Sequence, residues 1–588
     1  MSPDTPIGLT NDAGAWAFCD VSRAWYAAPL QTFLHEQPDR ILGRLVANCD
    51  FPVLPDQRDA WLKQIDLLQE HLTGLTGSLF LEFSIPRMGK RVDAVLVIGS
   101  VVCVLEFKVG ESRFDRAAVE QVWDYALDLK NFHEGSHAAP IVPILIATGA
   151  TASPRIELHA DHDGVYRPVS LAPVHLKATL DSVLAKRPAE PLDARSWCAA
   201  SYRPTPTIIE AARALYAHHS VDAIKCYDAG KRNLRVTSGR IEELVDQARA
   251  LGRKLICFVT GVPGAGKTLV GLNIATRRRK AELPTHAVFL SGNGPLVAVL
   301  HEALARDEMA REKHIGGGRR KREVRESVKA FIQNVHHFRD DQLADANPPP
   351  EHVTIFDEAQ RAWNVEKTAD FMKRKRKRPD FAQSEPEFLI SCMDRHSDWA
   401  VIVCLVGGGQ EIHTGEAGID AWISAVNTCF PQWHMYISSR LTDREYAAGK
   451  ALEAVRGLPN AHLDDSLHLA VSMRSFRAEN VSHFVKALLD CEADDARAVF
   501  QQLRDRYPVV VTRDLKAGKD WIRQHARGTD RYGLLASSKA HRLKPDAIDI
   551  RVDIKPVHWF LNDKRDTRSS YYLEDAATEF DVQGLVLS

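Results

Sequence analysis

Residues Gly261 to Thr268 read Gly-Val-Pro-Gly-Ala-Gly-Lys-Thr and follow the apolar run Leu255-Ile256-Cys257-Phe258-Val259. That order predicts a strand, a glycine-rich turn and then a helix, the setting in which backbone N–H groups and a helix N-terminus cradle phosphates. Gly261, Gly264 and Gly266 give the loop backbone geometries closed to other residues. Lys267 is placed to meet the outer phosphates of a nucleotide such as ATP, and Thr268 to offer a hydroxyl to phosphate-bound Mg²⁺. A phosphate loop alone hydrolyses nothing; it needs a carboxylate for the metal and a group that activates water. Asp357-Glu358-Ala359-Gln360 follows the apolar run Val353-Thr354-Ile355-Phe356, so Asp357 is expected to face the metal and Glu358 the water. Gly407-Gly408-Gly409-Gln410 ends another apolar run, and Gln410 is expected either to hydrogen-bond the terminal phosphate or to lie in a solvated turn.

A second chemistry is written near the amino end. Asp93 lies in Arg91-Val92-Asp93-Ala94-Val95-Leu96-Val97-Ile98, and Glu106 and Lys108 lie in Val101-Val102-Cys103-Val104-Leu105-Glu106-Phe107-Lys108, with Gly99-Ser100 between the two runs. Gly-X is a favoured two-residue hairpin turn, and pairing Ile98 with Val101 places Asp93 directly across from Glu106. Opposed Cβ atoms lie about 5 Å apart, where like charges repel. A divalent cation such as Mg²⁺ turns that repulsion into chelation. Lys108 shares a face with Glu106 by the two-residue strand period. Gln121 and Tyr125, one helical turn apart, are expected to face the same site. Another reading remains: an exposed hairpin whose charges face water. A further acid, Glu70 or Glu82, is available, but neither has a spacing argument.

The elements that must carry these residues form an α/β chain. At 588 residues there is room for roughly three to four domains. The 45% hydrophobic and 26% charged content suits ordinary globular cores. A formal net charge of -1 excludes a globally basic nucleic-acid binder and leaves only local patches. Two such patches are Arg319-Arg320-Lys321-Arg322 and the run Lys373 to Arg378, each readable as a solvated face or as a phosphate contact. Ten cysteines without a CxxC pair fit reduced thiols rather than zinc ligands or a disulfide framework. With no signal peptide and no stretch of membrane-spanning length, a soluble cytoplasmic protein is expected. His133 and His137 have helical ligand spacing but read better as solvated loop residues, and Trp61, Trp399 and Trp422 read as core.

The proline-bearing stretch from Lys186 to Pro206 marks a boundary. The expected division is 1–185, 186–250 as a connector and helical lead-in, 251–450, and 451–588. Val509-Val510-Val511 and Tyr532-Gly533-Leu534-Leu535-Ala536 are expected as strands of the last part.

In order along the chain, Gly261 to Thr268, Ser291-Gly292-Asn293-Gly294-Pro295, Asp357 to Gln360 and Gly407 to Gln410 resemble motifs I, Ia, II and III of the superfamily 1 helicases. Arg474, in Ser472-Met473-Arg474-Ser475, resembles motif IV, whose arginine in that family reaches the nucleotide. Tyr202 to Glu210, Gly407 to Ile412 and Arg474 to Arg477 are similar to the bacterial Schlafen-group-3-like DNA/RNA helicases over roughly residues 200 to 588. Gly408 stands where the superfamily usually has aspartate. The resemblance implies two RecA-like P-loop domains, ATP with Mg²⁺, and DNA or RNA as partner, alongside a possible protein partner or homo-oligomer. Ala577 to Leu585 resembles motif V, with Val586 where the family usually has Glu. Motif VI and its arginine would lie past Ser588, so the second RecA-like domain is expected to be incomplete at motif V. Loss of such an arginine costs about three to five orders of magnitude in rate.

At the amino end, Asp93, Glu106-Phe107-Lys108 and Gln121-Val122-Trp123-Asp124-Tyr125 resemble PD-(D/E)XK nucleases of the RecB-like type, which implies a restriction-endonuclease-like mixed sheet. The combined expectation is a Mg²⁺-dependent nuclease fused to an ATP-dependent helicase or translocase, with DNA repair or antiphage defence as its context by analogy. The alternative is a non-cutting, nucleotide-loaded switch that binds nucleic acid or a partner through an inert nuclease fold.

Overall fold

The computed structural model describes residues 23–49, 53–85, 90–186, 190–202, 207–216, 228–262, 264–280, 286–314, 319–407, 415–442, 455, 458–470, 476–504 and 508–585. The chain is α/β and divides into two compact units, one of Met1–Pro204 with Asn480–Asp530 and one of Thr205–Glu479 with Arg531–Ser588.

The first unit is built on a six-stranded mixed sheet in sequential order: β1 (Ala24–Pro29), β2 (Ser78–Ile85), β3 (Lys90–Ile98), β4 (Val101–Lys108), β5 (Ile141–Ala147) and β6 (Val169–Leu171). The first four strands are antiparallel neighbours, and β4, β5 and β6 run parallel. The hairpin register is the expected one, with Ile98 opposite Val101 and Ala94 opposite Leu105. Gly99 turns the chain at φ +52°, a conformation open to glycine. Alternation then sorts β4: Val101, Cys103, Leu105 and Phe107 join one apolar core, Val102 and Val104 the other. The second of these cores is covered by the helix Arg116–Phe132, through Ala118, Val122, Tyr125, Ala126 and Leu129. Asp115 caps that helix by accepting from the Ala117 N–H.

The second unit carries an eight-stranded sheet in the order β13-β12-β7-β11-β10-β8-β9, with β14 beside β7. The strands are β7 (Lys254–Gly261), β8 (Ala287–Ser291), β9 (Ile332–Asn334), β10 (Val353–Asp357), β11 (Ala400–Leu405), β12 (His434–Ile437), β13 (Ala461–Leu463) and β14 (His468–Leu469). Every pairing is parallel. Apolar cores cover both faces, which is why these strands read as unbroken apolar runs: Cys257 and Val259 bury on one side, Ile256 and Phe258 on the other. The expected strand at Val509–Val511 does not form. Among the described residues no strand neighbours it, and Val510 and Val511 are exposed. Of Tyr532–Ala536 only Leu534–Leu535 is a strand, paired in parallel with Ala576–Ala577.

Trp61, Trp399 and Trp422 are buried, as expected. Seven described cysteines are free thiols. His133 is a correction. It is neither a loop residue in solvent nor half of a ligand pair, but a fully buried C-cap whose Nδ1 lies 2.8 Å from Ser136 Oγ and whose ring sits 4.7 Å from that of Trp197.

Two outcomes follow from this packing. On the helix Lys267–Lys280, a Cβ at Gly271 would lie 2.8 Å from Leu405 Cδ1 and 3.0 Å from Ile355 Cγ2. Gly271→Val should therefore cost about 1–3 kcal/mol in urea unfolding, and an unchanged midpoint would refute so close a seat. Burial holds the His133 imidazole neutral by pushing its pKa from 6.5 down to about 3. Above 6.5 neither folded nor unfolded chain is charged there; as pH falls from 6.5 toward 3 the unfolded chain takes up the proton first, so stability declines across that window. His133→Gln should flatten that part of the stability profile, measured by denaturant titration at stepped pH; an equally steep profile would contradict it.

Candidate functional site

The hairpin brings the expected acids together. Continuing the register past Ala94–Leu105 sets Asp93 against Glu106, and continuing it between Leu81–Ala94 and Phe83–Val92 sets Glu82 against Asp93. Three carboxylates thus occupy one row across β2, β3 and β4. Asp93 Oδ2 accepts the Phe107 N–H at 2.7 Å, so the side chain takes a backbone donor where the ladder ends. Glu82 has φ +51° inside its strand, a left-handed residue that makes the alternation slip: Phe80 and Phe83 bury in the same core. Its Oε1 accepts from Trp61 Nε1 at 2.7 Å and its carbonyl from Arg91 Nη1 at 2.6 Å. Glu70, the other acid considered, faces solvent with its side chain 71% exposed.

Burial and the nearby charges of Glu106 and Glu82 raise the Asp93 carboxyl well above the usual carboxylate range. Burial likewise raises Glu82, opposed by the Trp61 hydrogen bond. Lys108 Nζ lies 2.9 Å from Glu106 Oε1 and 3.3 Å from Gln121 Oε1. Gln121 Nε2 donates to Glu106 Oε1 at 2.9 Å and to the Tyr125 hydroxyl at 2.8 Å. One face of the helix Arg116–Phe132 therefore closes the acidic row, as its one-turn spacing predicts. Glu106 is only 5% exposed, which does not fit a hairpin with its charges in water. The helix's Asp124 is held as well: Oδ1 accepts the Thr529 N–H and Oδ2 the Thr529 hydroxyl, each at 2.8 Å. A cavity of about 700 Å³ opens beside Lys108 and Gln121, lined also by Arg113, Phe114 and Arg116.

The phosphate-loop site is assembled by parallel strands whose carboxyl ends line up. Gly264 and Gly266 have φ +75° and +87°. Gly261 serves differently from the expectation: its φ is ordinary, but a Cβ there would lie 2.7 Å from Leu469 Cβ and from the Leu469 carbonyl oxygen. Glycine lets β14 lie against the loop strand, where Thr260 Oγ1 is 2.9 Å from His468 Nδ1 and the Val262 N–H donates to Leu469 O at 3.1 Å. Lys267 Nζ donates to the Gly261 carbonyl at 2.7 Å, and Thr268 Oγ1 to Asp357 Oδ1 at 3.1 Å. Burial first, then the charge of Glu358, raises the Asp357 carboxyl above its usual range. A cation suits this donor set, a hydroxyl and a carboxylate two strands apart, as it suits the acidic row.

Gln360 ends the Asp357–Gln360 motif, and its part in the site is visible only in the fold. Its Nε2 donates to Glu358 Oε2 and its Oε1 accepts the Gly407 N–H at 2.9 Å, so one buried amide ties the end of β10 to the end of β11. Glu358 has φ +54°, which re-aims its side chain beyond the strand end. Ser291–Pro295 and the 577–585 segment also meet: Gln583 accepts through its carbonyl from Asn293 Nδ2 and through Oε1 from Arg361 Nη1. Gln410 and Arg474 lie outside the described residues. Each basic cluster is paired in part, Lys321 with Glu302, Arg319 with Glu308 and Arg376 with Asp340.

A parallel sheet with a glycine-rich phosphate-loop sequence after β7, an Asp-Glu pair at the end of β10 and Gly407 just past β11 defines a P-loop nucleotide-binding protein. Residues 254–587, more than half the chain, match the Schlafen group 3 DNA/RNA helicase domain, and the chain belongs to that family. No curated relative matches it. Among the described residues no helix is long and apolar enough to cross a membrane.

Gln360→Ala removes a hydrogen bond to a charged group, worth roughly 1.5–3 kcal/mol, and should lower ATP turnover roughly ten- to hundredfold while nucleotide still binds. Steady-state phosphate release at saturating ATP measures it. Turnover equal to the parent would mean the bridge plays no part.

Proposed function

We propose that this protein is an ATP-dependent helicase or translocase of superfamily 1 type, with RecA-like P-loop domains, fused to a Mg²⁺-dependent PD-(D/E)XK nuclease of the RecB-like kind. The observation that carries the nuclease reading is the convergence of Glu82, Asp93, Glu106, Lys108, Gln121 and Tyr125 on one end of one sheet. Asp93 and Glu106 would hold Mg²⁺, with Glu82 beside them; the ion supplies a water of lowered pKa and polarises the phosphodiester. Lys108 is placed to neutralise charge developing on the phosphate. Gln121 orients both Glu106 and Lys108, and Tyr125 fixes Gln121 in turn.

In the nucleotide site, Lys267 exchanges the Gly261 carbonyl for the outer phosphates of ATP. Thr268 and Asp357 would hold Mg²⁺, Glu358 takes the proton of the attacking water, and Gln410 and Arg474 sense the terminal phosphate. The expected partner is DNA or RNA, in a cytoplasmic role in repair or antiphage defence by family analogy.

The test incubates the full chain with Mg²⁺ and labelled single-stranded and duplex DNA and RNA, with ATP present or withheld. Cleavage should need Mg²⁺ and vanish in Glu106→Ala with the folded circular-dichroism spectrum retained. Cleavage that persists in the pure variant would overturn the assignment of the site to Glu106, and a parent that never cuts while still turning over ATP would support the non-cutting switch instead. Lys267→Ala should abolish ATP turnover; hydrolysis at the parent rate would remove the nucleotide assignment.

A further inference from the structure

At the opposite ends of β10 and β11 from the nucleotide site, three side chains converge that neither chemistry uses. His352 precedes β10, Asp398 lies two residues before β11, and His396 follows the helix Glu385–Asp394. One donor atom from each lies within 4.8 Å of the others. From these residues we propose that His352, His396 and Asp398 form a binding site for a borderline divalent transition ion, with Zn²⁺ as the reference occupant.

Two donors on one tetrahedral Zn²⁺, with bonds of about 2.0–2.1 Å, stand about 3.3 Å apart. His352 Nε2 and Asp398 Oδ1 are 3.3 Å apart. An ordinary ion pair explains that contact but not His396. That residue is 5% exposed, and its ring lies 4.0 Å from the ring of His352. In the tautomer whose Nε2–H donates to the Glu351 carbonyl, at 3.2 Å, His396 keeps its lone pair on Nδ1. Metal-ligating histidines are held in this way, by a carbonyl on the other ring nitrogen. His352 is also steadied by Trp399, stacked with centroids 4.6 Å apart. Asp398 is 59% exposed in its side chain and can rotate to close the remaining distance. Two imidazoles and one carboxylate favour Zn²⁺, Co²⁺ or Ni²⁺ over Mg²⁺, which prefers an all-oxygen shell. Water completes the coordination on the exposed side. The ion would link the amino ends of the two strands whose carboxyl ends carry Asp357 and Gly407.

The test is calorimetric titration of Zn²⁺ into chelator-stripped full-length protein, run in parallel with His352→Ala/His396→Ala, with Asp398→Asn, and with His434→Ala/His462→Ala. The last pair, with His434 Nδ1 3.3 Å from His462 Nε2, is a second close histidine pair in this unit. Zn²⁺ taken up by the carboxylates of the other sites is common to all four proteins and cancels. The parent should bind one equivalent more than the His352/His396 variant, and its thermal midpoint should rise with Zn²⁺ where that of the variant does not. Asp398→Asn changes one exposed side chain, so it reports even if the double variant misfolds; its affinity for that equivalent should fall roughly tenfold or more. Equal stoichiometry in parent and double variant overturns the proposal. So does an unaltered affinity in Asp398→Asn, or a loss confined to the His434/His462 variant.

Discussion

Glu82, Asp93 and Glu106 stand side by side on three adjacent strands, and their mutual repulsion is the constraint around which the first unit is arranged. Neighbouring carboxylates out of water are costly, and the raised proton affinity of Asp93 is the direct expression of that cost. Everything nearby answers the charge: the Phe107 N–H on Asp93, Lys108 and Gln121 on Glu106, Trp61 on Glu82. A sheet built only for stability would place apolar residues along this row, as it does at Ala94, Leu96 and Leu105 on the opposite face. A divalent cation would resolve the repulsion in a single step.

The nucleotide site follows a different physical rule. Parallel strands align their carboxyl ends, so residues 89 and 47 positions apart arrive together without any local turn between them. Thr268 reaches Asp357 in this way, and Gln360 spans from Glu358 to the Gly407 backbone. The same sheet accepts β14 against the phosphate-loop strand because Gly261 has no side chain to block it.

Much of this was legible in the residues themselves. Hairpin arithmetic through Gly99-Ser100 sets the register of Asp93 and Glu106, and one-turn spacing sets Gln121 and Tyr125 on a common face. Local rules reach no further. Glu82 joins the row through a left-handed residue inside a strand, and no spacing pattern marks an acidic residue for that conformation. Gln360 looked like the tail of a motif because its partner Gly407 comes from another strand. His133 carried helical ligand spacing, yet the fold buries it against Trp197, a neighbour 64 positions away in the chain. Residues 480–530 pack with the amino-terminal unit, and only long-range contacts reveal that. The apolar run Val509–Val511 shows the converse: β-branched residues alone do not make a strand without a neighbour to pair with.

The central claim is that the acidic row holds a divalent ion, and the most direct measurement is anomalous diffraction from crystals of the full chain grown with Mn²⁺ in place of Mg²⁺. The account predicts a metal peak bonded to a carboxylate oxygen of Asp93 and one of Glu106, each at about 2.1 Å, with Lys108 displaced from Glu106 Oε1 or sharing it. A saturating Mn²⁺ concentration that leaves no peak in that row, with the Lys108–Glu106 contact intact, would contradict it.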